Sequence, residues 1–232
     1  MVERLKLITR GIHWSLAFKA LVVAVAWVTL PEWTAWVLGG IFYFSSLFRA
    51  RWMGLPLASA FILAHFLGQN MLVGLGLGII FFLILGLKEL VFIDRRFAST
   101  LMIFGILIMA GLLLYGDLNA WSPWMPIKTL LFAGLFYFLA KRFLLILEES
   151  HAKHPLALGV MSFILWEVAT IAGFLPLDYL DQSALVIMIA FILFEWFLSY
   201  IEDKLKTNKI LLYVSFLFIL TTLIFSAAKW SL

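Results

Sequence analysis

Cysteine is absent from this chain, so no disulfide, thiolate nucleophile or cysteine-bound metal is available to it. That absence says nothing about compartment. Charge is scarce too. Of 232 residues, 13% are charged and 65% hydrophobic, with a mean hydropathy of +1.09. A soluble domain needs more polar surface than that. The apolar runs are continuous and do not alternate with polar residues, which excludes a β-barrel. Basic patches and tails are missing. The formal charge of +4 is scattered over short loops, and nucleic acid is excluded as a partner. The start MVERLKLITRGIHW is basic and then apolar, but LPEWTAW follows it, with no A-x-A-like cleavage site. This predicts a retained first helix. There is no GxSxG elbow and no acidic cluster to hold a magnesium pyrophosphate. Ser45 and Ser46 have no evident base.

What remains is a succession of apolar segments, each near the roughly 20 residues that cross a bilayer. Charge clusters and Pro, Gly and Asn break the chain into spans at 11–30, 34–49, 54–69, 71–93, 98–116, 126–147, 155–175, 183–203 and 209–229. The predicted fold is an all-α, polytopic transmembrane helix bundle of about nine spans. It forms one integral membrane domain over 1–232. In the stretch 54–93 a turn falls at Gly68-Gln69-Asn70. Two full spans, or eight spans plus a re-entrant hairpin, satisfy its basic flanks equally well.

Lys and Arg orient the bundle. Arg4, Lys6, Arg10, Arg49, Arg51, Lys88, Arg95, Arg96, Lys141, Arg142, Lys153, Lys204, Lys206 and Lys209 fall on one side. Lys128 and Lys229 fall on the other, and Lys19 lies within a span. That is 14, 2 and 1 of the 17 basic residues, which predicts the N-terminus inside and the C-terminus outside. Trp33, Trp36, Trp121, Trp124 and Trp230 then lie at the outer interface, with Trp14 and Trp52 at the inner one. The expected location is a cell membrane, a bacterial or archaeal inner membrane, in contact with its lipids.

Four ionisable side chains fall deep in spans: Lys19, His65, Glu167 and Glu195. At 1.5 Å per residue they lie within about one turn of a common level. A charge at that depth costs a few kcal/mol, so such groups face the bundle, pair, meet water or lose their charge. The simplest arrangement sets the Lys19 ammonium against Glu167 or Glu195, with the second glutamate protonated or sharing a proton with His65. A carboxyl so poised suits proton-coupled transport or general acid/base chemistry. The same groups also serve as interhelical hydrogen bonds worth around 1 kcal/mol each. Gln69 and Asn70 mark the turn beyond His65, which can itself satisfy backbone there. Trp166 and Trp196 adjoin the two glutamates, where they either line a cavity or fill the core. In VGLGLG, residues 73–78, no strand precedes and no phosphate-binding lysine follows. Gly74 and Gly78 form a small-residue face for close helix packing.

The loop EESHAKH offers Glu148, Glu149, His151 and His154, but the spacing matches no helical HExxH pattern and a solvated loop of this composition is ordinary, so no metal is expected. RGIHW, residues 10–14, resembles the opening of bacterial cytochrome b561-type haem proteins, which implies paired axial histidines. His65 lies too far across the membrane from His13, and His151 and His154 fall in a loop, so no cofactor is expected. FKALVV with AFILAHFLG is similar to the lysoplasmalogenase-type membrane hydrolases over about 55 residues. SSLFRAR stands where that family carries its acidic residue. The leading expectation is a proton-linked transporter using Glu167 and Glu195, with Lys19 as counter-ion and His65 as relay. The alternatives are an intramembrane enzyme acting on a lipid or isoprenoid substrate, and a non-catalytic scaffold with partner subunits or further copies.

Overall fold

The structure is a computed structural model that describes residues 2–45, 53–89, 92, 94–116, 123–146, 155–201 and 207–227. Outside these lie Glu148, Glu149, His151, His154, Trp52, Trp121, Trp230 and most of SSLFRAR, as does the side chain of His13. Nine α-helices and no strand occur among the described residues. They are α1 (Val2–Thr29), α2 (Glu32–Phe44), α3 (Gly54–Leu67), α4 (Met71–Lys88), α5 (Arg95–Gly116), α6 (Met125–Ile146), α7 (Pro155–Phe174), α8 (Tyr179–Ile201) and α9 (Thr207–Ala227). They follow the predicted spans in order. The main shifts are that α1 starts at Val2 and α4 stops at Lys88.

Helices α4, α5, α7 and α8 are long and apolar enough to cross a membrane, which fits a membrane protein. Helices α2 and α3, of 13 and 14 residues, are shorter. Each measures about 20 Å, below the roughly 30 Å of a hydrocarbon core.

The helix ends follow local chemistry. Gly68 ends α3 at φ +80°, ψ 171°, a conformation open to glycine, and Asn70 caps α4 by accepting the Val73 N–H at 2.8 Å. Asp94 does the same for α5, accepting the Phe97 N–H at 2.9 Å. Pro155 opens α7, where its missing N–H costs nothing.

The chain divides into two compact units, Met1–Met109 and Ala110–Leu232. In the first, α1 packs along α4, α2 lies on α1 and α3 on α4. The α1–α4 contact is antiparallel and close because the expected glycine face meets it. A Cβ on Gly74 would stand 2.5 Å from Val28 Cγ2, and one on Gly78 2.8 Å from Ala24 Cβ. Phe61 of α3 sits over Gly39 of α2 and packs on Trp27, Trp36 and Phe81.

In the second unit α6 packs on α7, α7 on α8 and α8 on α9. Phe194 of α8 meets Phe136 and Phe143 of α6 edge to face, and all three are buried. Hydroxyls tie the backbones together. Tyr115 donates to the Ala169 carbonyl at 2.7 Å, and Ser183 to the Gly111 carbonyl at 2.9 Å.

Candidate functional site

Polar groups gather at both ends of the first unit. At one end the α1–α2 and α3–α4 turns come together. His65, in the last turn of α3, binds the carboxylate of Glu32, the first residue of α2, through its Nδ1. Gln69 Nε2 donates to the Leu30 carbonyl at 2.8 Å, and Asn70 is spent on capping α4. His65 and Gln69 thus clamp the two turns together, while Asn70 holds the start of α4. The imidazole belongs to a helix end, where α3 stops at Leu67 sooner than the predicted span at 69.

At the other end Lys19 Nζ stands 3.8 Å from Glu89 Oε1, with side chains 25% and 18% exposed. This carboxylate takes the place that depth had suggested for Glu167 or Glu195. Sequence reasoning missed Glu89, because within the 71–93 stretch it lies near the charged end and not at mid-span depth. Lys88 beside it is buried. Its Nζ donates to the Tyr43 carbonyl and lies 4.0 Å from the centre of the Tyr43 ring. A buried ammonium is held there by a carbonyl dipole and a ring quadrupole.

The two glutamates belong to the second unit. Glu195 is half-buried near the end of α8. Glu167 is exposed on α7, and no hydrogen-bond or ion-pair partner for it occurs among the described residues. It stands about 18 Å from the start of α7 and about 10 Å from its end, deep in a helix long and apolar enough to cross a membrane. Val160, Ile164 and Ile171 share its face of the helix, and all three are exposed.

The neighbouring tryptophans divide. Trp166 donates its indole N–H to the Pro126 carbonyl at 3.0 Å, where Thr129 and Thr170 also join at 2.9 Å, so it links α6 to α7. Trp196 lines an open groove of about 350 Å³ with Ala157, Val160, Ile164, Leu193 and Tyr200. The groove lies between α7 and α8, with Ile210 of α9 also lining it, and is apolar throughout. The Trp196 Nε1 is buried, without a hydrogen-bond partner among the described residues, and is not offered to the groove.

Ala157, Val160 and Ile164 of α7 line the groove together with Leu193, Trp196 and Tyr200 of α8. Comparison with protein-family models, with curated proteins and with solved structures finds no match to this chain.

Proposed function

We propose that the chain is a multi-pass cell-membrane protein that works as an assembly subunit, holding a partner inside the bilayer along α7. The observation that carries this reading is Glu167. A charged residue at the centre of a membrane helix costs about 2.5–3.5 kcal/mol on insertion scales, so such residues turn inward and pair. Glu167 instead points out of the chain amid Val160, Ile164 and Ile171. A partner seated on that face supplies what the described residues do not.

The test is a photo-crosslinking residue at Ile171 in native membranes, with Phe97 of α5, also exposed, as control. The expected outcome is one discrete crosslinked species from position 171 and none from 97. Adducts with lipid alone from both positions would sink the reading.

Proton-linked transport is the second reading, and Glu195 favours it: a half-buried carboxylate in an apolar helix suits a group that takes and gives a proton. Lys19 and His65 have carboxylates of their own, Glu89 and Glu32. Transport would therefore run on the glutamates. Proteoliposomes expected to acidify with a substrate pulse, and to lose that response in Glu195→Gln, provide the check.

A further inference from the structure

Resting on the assembly reading, we infer that the partner is a transmembrane helix carrying a lysine or arginine at mid-depth. It docks along α7, with that base on Glu167 and its apolar side chains in the α7–α8 groove.

Val160, Ile164, Glu167 and Ile171 follow one another at the spacing of a single helix face. Val160 and Ile164 belong to the groove wall, and Glu167 follows one turn further along. Groove and carboxylate are therefore one continuous surface with two unlike demands. The groove is apolar, and the Trp196 indole N–H beside it is buried away from it. It gives a polar ligand nothing to bind. The carboxylate gives an alkyl chain nothing to bind.

A helix with small or branched apolar residues over the groove and one base a turn beyond answers both. In such surroundings a basic residue also offsets part of its own insertion cost, since each charge lowers the penalty of the other. A bilayer lipid does not fit, because its cationic headgroup stays at the interface, away from mid-helix. A second copy joined through this same face does not fit either. A two-fold contact sets each patch on itself, so Glu167 would meet Glu167, and neighbouring carboxylates oppose each other's ionisation. The exposed face of α7 holds no base to relieve them, and Lys19 is occupied by Glu89.

The full chain, reconstituted in phosphatidylcholine vesicles, is mixed with synthetic helices of about 20 Leu and Ala residues. These carry Lys, Leu or Glu at the centre, and association is read by energy transfer between labels. The Lys helix is expected to bind at least tenfold more tightly than the Leu helix. Glu167→Leu removes that difference, and Glu167→Lys reverses the preference toward the Glu helix. Because Glu167 is exposed, with no partner among the described residues, both variants keep the fold; unchanged circular dichroism verifies this.

Equal binding of the Lys and Leu helices, or indifference to Glu167→Leu, overturns the inference. So does self-association of the chain that Glu167→Leu abolishes, since a second copy would then be the occupant. Failure of every helix to bind, with a discrete crosslink still formed from Ile171, overturns the basic-helix inference and leaves the assembly reading standing.

Discussion

Lys19 and Glu89 reach each other because side chains on a helix lean toward its N-terminus. On the antiparallel α1 and α4, those leanings converge. The four-carbon stem of a lysine adds several ångströms to that reach. Backbone depth alone therefore placed Lys19 with the mid-span glutamates, while its ammonium sits at a helix end. A pair a quarter exposed is screened by solvent, so its coupling is small, about 0.5–1 kcal/mol. A double-mutant cycle of Lys19→Met and Glu89→Gln, read by steric-trapping unfolding in bicelles, is expected to return that coupling. The His65–Glu32 contact is more exposed, with the imidazole 56% open. His65→Ala is expected to cost less than about 1 kcal/mol. Four ionisable positions were legible as residues that need partners. Which partner each takes depends on helix adjacency and side-chain reach, neither of which hydropathy encodes.

At the scale of elements, α4 was the most readable helix, because its chemistry is written in its glycines. Gly74 and Gly78 lie against α1, with the Ala24 carbonyl 3.2 Å from a Cβ built on Gly74 and the Ala20 carbonyl 3.4 Å from one built on Gly78. Gly76 between them opens onto space. Gly74→Ala and Gly78→Ala should each destabilise by about 1–3 kcal/mol, since backbone must move apart to admit the methyl. Gly76→Ala should be neutral or stabilise by up to about 1 kcal/mol through helix propensity. Thermal unfolding in detergent, followed by circular dichroism, separates the three. Equal effects at 74 and 76 would mean that α1 does not press on α4. The turn at 68–70 was equally legible, and there Gly68→Ala should cost about 1–3 kcal/mol for a backbone conformation other residues avoid. The seat of Phe61 over Gly39 was not legible. Nothing along one chain says that α2 and α3 are neighbours.

For the whole molecule, the orientation predicted from the 14-to-2 split of Lys and Arg and the choice between assembly and transport meet in one experiment, which the natural absence of cysteine makes direct. Trp33→Cys at α2 and Trp124→Cys before α6 are exposed and belong to the predicted outer side. Lys141→Cys, near the end of α6, belongs to the inner side. A membrane-impermeant thiol reagent on intact cells is expected to label positions 33 and 124 and spare 141, with inside-out vesicles giving the opposite result. Against these controls Glu167→Cys reports what covers α7. Under a docked helix or lipid it meets no water and stays unlabelled from both sides, because the reagent acts on thiolate and hydrocarbon supplies none. An aqueous transport path reaching mid-depth labels it from at least one side, as it does Glu195→Cys. Detergent acyl chains cover the apolar face of α7 as lipid does, so Glu167→Cys is expected to stay silent in the solubilised chain too. Labelling of Glu167→Cys from either side of native membranes would transfer the glutamates from binding a partner to facing water.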